Sequence, residues 1–287
     1  MTLPARVKIV EVGPRDGLQN ESVAVAADAK VAFIEALADA GLPVVEATSF
    51  VAPRAVPQLA DADEVFPRIR RRAGVRYPVL VPNMKGMERA EAAGADAVAV
   101  FTAASETFTE RNIGMTIAGS LEAFTPVLAR ATELRWWRRG YVSTAFGCPY
   151  EGTVDGRRVV AITERLLELG CDEVSIGDTI GVAEPDDVRE LCAALLDRVP
   201  AERLALHLHD TQGRALDNVE AGLEMGVATY DASAGGTGGC PFAPGAPGNL
   251  ATEMLCGLLD RLGIAHGVDA ELVATAGMTL RARLLRS

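Results

Sequence analysis

The chain has 287 residues, a length that suits one large domain or two small ones. Its 49% hydrophobic and 23% charged residues fit a soluble globular protein with a sizeable core. A net charge of −11 argues against a nucleic-acid-binding surface, which needs clustered positive charge, but leaves room for a local basic patch that meets an anionic substrate. The five cysteines are Cys148, Cys171, Cys192, Cys240 and Cys256. Their number is odd and no Cys-x-x-Cys occurs, so a reducing compartment is expected rather than a disulfide framework. No signal-peptide core, membrane-length apolar run or peroxisomal tripeptide is found, so the expected location is cytoplasmic, away from a membrane.

Residues 7–12 are a short β-branched run and read as a strand, followed by Arg15-Asp16-Gly17. Residues 26–40 have helical periodicity through Val31, Ile34 and Leu37, closed by Gly41. A second strand at 44–47 ends at Glu46-Ala47-Thr48-Ser49. A helix is expected at 61–72, with Arg68, Arg70, Arg71 and Arg72 at its solvated end or meeting an anion. Then come a strand at 77–81, Pro82-Asn83, a helix at 85–93 and a strand at 97–101. Residues 102–117 read as a long polar loop and 121–137 as a helix. A fifth strand at 141–146 leads into Gly147-Cys148-Pro149-Tyr150-Glu151-Gly152. A helix at 158–169, a strand at 173–176 ending Gly177-Asp178-Thr179, and a helix at 185–198 follow. The remaining elements are a strand at 204–209, a helix at 215–225, a strand at 229–233, a glycine-rich loop to 248, a helix at 250–262 and a last helix from 269.

Strands that alternate with helices imply a parallel sheet. Eight such units with no composition break predict an α/β chain folded as a single (β/α)8 TIM barrel over 1–287, with an extra C-terminal helix over 267–287. That helix either caps the barrel or forms a homodimer interface. A doubly wound open sheet would show a glycine-rich phosphate turn after the first strand, which Gly13-Pro14-Arg15-Asp16-Gly17 is not.

Two of the three histidines lie in Leu206-His207-Leu208-His209-Asp210. Alternation places both imidazoles on one strand face and the leucines on the other. Such a pair can bind one divalent cation, with a satisfied core pair as the plain alternative. In a barrel, chemistry sits at the C-terminal ends of strands. Arg15, Asp16, Glu46, Asn83, Asp178, His207 and His209 all fall there, with apolar strands behind them. Asp16 is the natural third ligand, or else a turn residue before Gly17, and such a mixed nitrogen and oxygen site suits Mg²⁺ or Mn²⁺, with Zn²⁺ as the alternative. Arg15 can stabilise an enolate or simply pair with Glu46. Asn249 can cap the eighth helix or act as a neutral oxygen ligand. The loop 235–248 has too many glycines for ordinary packing and carries Cys240. Cys171, Cys192 and Cys256 sit in apolar context and read as inert.

Val10-Glu11-Val12-Gly13-Pro14-Arg15-Asp16-Gly17-Leu18-Gln19-Asn20-Glu21 closely resembles the opening motif of the 3-hydroxy-3-methylglutaryl-CoA lyases. The resemblance recurs at Glu46-Ala47-Thr48-Ser49-Phe50-Val51, Gly147 to Gly152, Gly177-Asp178-Thr179-Ile180-Gly181, His207 to Thr211 and Gly238 to Glu253. It implies a retro-Claisen cleavage of a branched 3-hydroxyacyl-CoA to acetyl-CoA and acetoacetate. It also implies that Asp16, His207 and His209 hold the cation with Asn249 beside it, and that Arg15 meets the enolate. Glu46 and Asp178 would be acid/base or metal-water partners, Cys240 a lid residue in proton transfer, and Gln19 and Asn83 substrate contacts. Ser22 stands where a lysine is expected and Thr237 where a leucine is expected. Two other readings are a related enzyme acting on another acyl-CoA or 2-oxo acid, and a silent barrel subunit.

Overall fold

The computed structural model describes residues 3–238 and 248–284. Its strands are β1 (Lys8–Glu11), β2 (Val44–Val45), β3 (Thr48–Ser49), β4 (Val79–Leu80), β5 (Ala97–Ala103), β6 (Trp137–Ser143), β7 (Glu173–Asp178), β8 (Leu204–Leu208) and β9 (Thr229–Ala232). All pair in parallel, in the order β2-β1-β9-β8-β7-β6-β5-β4-β3. β2 and β3 are consecutive pieces of one extended segment. Its Glu46 N donates to Glu11 O at 2.8 Å on one side, and its Ala47 N donates to Pro78 O at 2.9 Å on the other. The two ends of the ladder are therefore the same stave, and eight staves close a barrel without an exposed edge.

The helices are α1 (Ala27–Asp39), α2 (Ala62–Arg68), α3 (Met84–Ala92), α4 (Glu106–Ile113), α5 (Ile117–Glu133), α6 (Gly156–Glu168), α7 (Pro185–Leu196), α8 (Ala215–Glu224), α9 (Thr252–Arg261) and α10 (Ala270–Leu284). Outward strand residues such as Ile9, Val100, Val142, Ile176, Leu206 and Leu208 pack with Ile34, Val127, Leu166, Leu195 and Leu255 of the helices in one continuous core. The leucines of the His-x-His strand face this core, as the alternation requires. α10 packs on α1 and α9 and on the start of the glycine-rich loop. Gly277 comes so close there that a Cβ would lie 2.9 Å from Gly235 N. The terminal helix thus caps this part of the rim.

Three expectations are corrected. The loop expected at 102–117 contains α4, which Ser105 starts by accepting from Phe108 N at 3.1 Å and Gly114 ends in a left-handed conformation. The helix expected to reach residue 137 stops at Glu133, and Trp137 opens β6. A Schellman turn forces that stop, with Trp136 N donating to Ala131 O at 2.8 Å and Arg135 N to Thr132 O at 3.0 Å. The run 61–72 is helical only to Arg68, and its arginines pair with Asp28, Glu35, Asp39, Glu64 and Asp96.

The barrel interior also departs from the apolar strands expected. Trp137 forms the floor, packed against the Val10, Val12 and Val44 cluster. Above it lies a column of charge. Arg139, fully buried, donates to Glu173 at 2.9 Å, to both oxygens of Asp231 at 2.6 and 3.1 Å and to the Tyr141 hydroxyl at 2.8 Å. Glu173 also pairs with Lys8, and Asp231 also accepts from Ser175 at 2.8 Å. Removing one partner from such a set leaves uncompensated buried charge. Arg139→Met should therefore lower stability by about 3–5 kcal/mol in urea unfolding. A loss under about 1 kcal/mol would show that Glu173 and Asp231 can be neutralised without it.

Candidate active site

The first site segment is built by backbone constraint. After β1, the N–H groups of Arg15, Asp16 and Gly17 all point to Val12 O, at 3.1, 2.8 and 3.2 Å. This wide turn throws Arg15 and Asp16 over the C-terminal mouth, and such π-type turns recur at functional sites. Gly13 is required because a Cβ would lie 2.6 Å from Glu11 Oε1. Glu11 accepts from the N–H of Gly13 and of Ala234, both at 2.9 Å, and from the Thr252 hydroxyl at 2.7 Å. One carboxylate thus ties the first loop, the glycine-rich loop and α9 together.

Arg15 donates to Glu46 Oε2 from Nε at 2.7 Å and to Asp16 Oδ1 from Nη1 at 2.6 Å. It is 4% exposed. Burial works against its charge, but Glu46 and Asp16 outweigh it and the guanidinium stays protonated. Glu46 Oε2 also accepts from the Tyr141 hydroxyl at 3.0 Å. Burial pushes the Glu46 carboxyl up, with Arg15 opposing.

His207, His209 and Asp16 each offer a ligand atom, and these atoms lie within 4.8 Å of one another. His207 Nδ1 is 3.3 Å from Asp231 Oδ2, which places a proton on Nδ1 and turns Nε2 toward the cavity; burial opposes its charge, but Asp231 and Asp16 raise its pKa. That Nε2 lies 3.1 Å from His209 Nε2. Burial, and then His207, push His209 down to about 3, so it is neutral. The two facing ring nitrogens and the ionised carboxylate offer three ligand atoms to one cation. Burial opposes the Asp16 charge, but Arg15, the two histidines and the Asn249 amide hold it below its ordinary value. Asn249 Nδ2 donates to Asp16 Oδ2 at 3.0 Å and to Thr237 O at 3.1 Å. Among the described residues its buried Oδ1 has no hydrogen-bond partner. The donor set therefore fits a divalent cation.

The remaining expected residues divide. Gln19 donates to Asp16 Oδ1 at 3.1 Å and lines the cavity. Asp178 is buried, and its two oxygens accept from Val182 N and Ala183 N, both at 3.0 Å. It holds its own turn, and the next residue, Thr179, reaches the cavity. Asn83 is not brought to the site: it is exposed and caps α3 by accepting from Gly86 N at 3.1 Å. Cys240 lies outside the described residues. Cys171, Cys192 and Cys256 are buried and pushed up to about 12 by desolvation, so they stay as thiols. Thr237 is buried and donates to Ala234 O at 2.8 Å, bracing the start of the glycine-rich loop.

Sequence reasoning missed Asp231, Arg139 and Tyr141 beneath the site, and one wall of the cavity. That wall is built by Phe108, Arg111 and Asn112 of α4 with Tyr150, across about 380 Å³ from His207 and His209. Arg111 lies over the Tyr150 ring at 4.3 Å. Ser105 and Gly114, a start and a stop nine residues apart, were the signal available.

The fold and site define a (β/α)8 barrel with Asp16, His207 and His209 grouped at its C-terminal mouth. The HMGL-like family model matches residues 6–279, and the chain belongs to that family. A rat protein named hydroxymethylglutaryl-CoA lyase, mitochondrial, is 51% identical over 276 residues, covering 96% of this chain and 85% of its own length. The crystal structure of the HMG-CoA lyase from Brucella melitensis superposes with a TM-score of 0.95 at 51% identity, covering 96% of this chain and 98% of that one. An HMG-CoA lyase from Acinetobacter baumannii in complex with coenzyme A and 3-methylmalate superposes at 0.93 with 39% identity, covering 99% and 93%.

Glu11 carries a pH signature. Burial raises it from its ordinary 4.5 to about 7, although Thr252 and two backbone amides pull the other way. Between those values the folded protein keeps a proton that the unfolded chain has released, so Glu11 costs stability as pH rises through this window. The expected cost is up to about 3 kcal/mol by pH 8. Glu11→Gln should remove it, so the stability difference between variant and parent should grow from pH 4.5 to 8. A difference that stays flat would mean Glu11 titrates normally.

Proposed function

We propose that this chain is a carbon–carbon lyase that cleaves 3-hydroxy-3-methylglutaryl-CoA to acetyl-CoA and acetoacetate. The observation that carries this reading is the convergence of Asp16, His207 and His209 on one cavity, with Arg15 gripping Asp16 directly behind it, in a chain about half identical to proteins named for that reaction. Asp16, His207 and His209, with Asn249 Oδ1, would hold Mg²⁺ or Mn²⁺. When bound, such an ion supplies Lewis acidity that lowers the pKa of the substrate alcohol.

The other duties fall to the chain. Breaking the bond beside a tertiary alcohol needs the hydroxyl proton removed and the enolate charge met. Arg15, locked by Glu46 and Asp16, is the fixed cation for that enolate, and one such donor is worth roughly 3 kcal/mol of barrier. Glu46 and Asp178 act as positioning residues, since Glu46 grips Arg15 and Asp178 grips its turn. Asp231 fixes the His207 tautomer. Cys240 is read as the lid residue in proton transfer, and Gln19 as a substrate contact. The buried, unpaired Cys148, Cys171, Cys192 and Cys256 suit a reducing compartment, which supports a cytoplasmic location. The exposed Leu272 and Met278 of α10 are the surface we assign to a homodimer.

A coupled assay for acetoacetate from hydroxymethylglutaryl-CoA, with Mg²⁺ or Mn²⁺ and again with chelator, tests the reading. Metal-dependent turnover is expected. No turnover by folded, cation-supplied protein would move the substrate elsewhere, with Ser22 and Thr237 the first residues to examine. His207→Ala should abolish both cation binding and activity. Asp231→Asn should weaken cation affinity by roughly 10–100-fold and, by removing a counter-charge of buried Arg139, also lower the unfolding midpoint, so binding is compared below that midpoint. Cys240→Ser should leave cation binding nearly intact.

A further inference from the structure

At the opposite end of the barrel, the N-terminal starts of β5, β6 and β7 and the turn before β4 surround a cleft of about 590 Å³. Its walls include Arg76, Arg135, Trp136, Trp137 and Arg138. Trp136 and Trp137 are the only tryptophans in the chain. The Arg76 guanidinium lies 5.3 Å from the Trp137 ring centroid and the Lys8 ammonium 5.9 Å. Two acids also line the cleft. Asp172 is taken up by Arg138, which donates to it from Nη2 at 2.7 Å and from its backbone N–H at 2.9 Å. Asp96 lies 3.7 Å from Arg71. Among the described residues, neither Arg76 nor Arg135 has a carboxylate partner, in a chain whose net charge is −11.

Arg135 is also strained. It sits at φ +59°, just past the C-terminus of α5. The same position after α1, α3, α6, α8 and α9 is filled by Gly41, Gly94, Gly170, Gly226 and Gly263, all at positive φ. Only glycine adopts that conformation without cost, and a bulky residue there is an outlier. A strained arginine where the fold elsewhere uses glycine points to a use for its side chain. Guanidinium groups match the oxygen geometry of phosphate, and a cleft of this size holds a small molecule.

We propose that this cleft is a second ligand site, for a small phosphate-bearing anion, with Arg135 and Arg76 as the cations that recognise it. The shared chemistry is the phosphate, whether free or attached to an aromatic base that stacks on tryptophan. Equilibrium dialysis with inorganic pyrophosphate and with ADP, without divalent cation, measures binding. Tryptophan emission reports where it occurs, because both tryptophans wall this cleft. Saturable binding of either probe below 1 mM with an emission change is expected. Tighter binding of ADP would identify a nucleotide, and equal binding the phosphate alone. Arg135→Gly removes the cation and relieves the strain, so it should fold with an unchanged or higher Tm, keep its lyase turnover and bind at least tenfold more weakly. Absence of saturable binding to the parent, or affinity within twofold in Arg135→Gly, overturns the proposal. The second result would also cover ADP held at the other mouth.

Discussion

The structure depends on a guanidinium at the centre of the barrel. Arg139 sits where no water reaches it, and its hydrogen bonds reach Glu173 below, Asp231 beside and Tyr141 above. Desolvation opposes its charge, and the surrounding acids restore it. Because Asp231 must stay ionised to balance Arg139, it is held well below its usual range. An ionised Asp231 then accepts a hydrogen bond from His207 Nδ1–H and turns Nε2 toward His209. On the other branch, the Tyr141 hydroxyl that Arg139 meets donates to Glu46, and Glu46 grips Arg15. The orientation of two site residues from different staves is thus set by one buried charge.

Such a column costs stability compared with an apolar filling of the same volume. What it gives in return is fixed geometry. A reacting group displaced by 1 Å can lose about a hundredfold in rate, and side chains locked by buried partners move least. Arg15 and His207 project from loop and strand ends, yet each is anchored into the interior rather than into the loops around it. The glycine-rich loop joins the same frame at its root. Thr237 O accepts from Asn249, and Gly238 lies so close to Gly17 Cα that a Cβ would stand 2.8 Å from it.

Much of this was legible in the chain. The βα alternation, the His-x-His face and the Arg-Asp turn each rest on local periodicity or local chemistry, and all appear where expected. What stayed hidden was contact between staves far apart in sequence. Glu173 and Asp231 lie 34 and 92 positions from Arg139 at the hub. Nothing local marks Arg138-Arg139 as one surface and one core arginine except the two-residue alternation, which sends Arg138 outward and Arg139 inward. α4 was hidden for another reason: its polar face dominates the composition of a short segment, and only its caps announce it. Asn83 shows the converse error, since a polar residue at a strand end is as often a helix cap as a site residue.

A single stave runs through the whole molecule. Along β6, the inward positions are Trp137 on the floor, Arg139 at the hub, Tyr141 above it and Ser143 at the cavity wall. Each touches the layer that its height dictates, because alternation leaves it no other direction. Displacing Trp137 along the stave would shift the register of Arg139 against Glu173, and through Tyr141 the carboxylate that grips Arg15. The strained turn at Arg135 sits two residues before this stave begins. The two mouths of the barrel are therefore mechanically continuous through one run of backbone, and that continuity is a property of the parallel barrel itself.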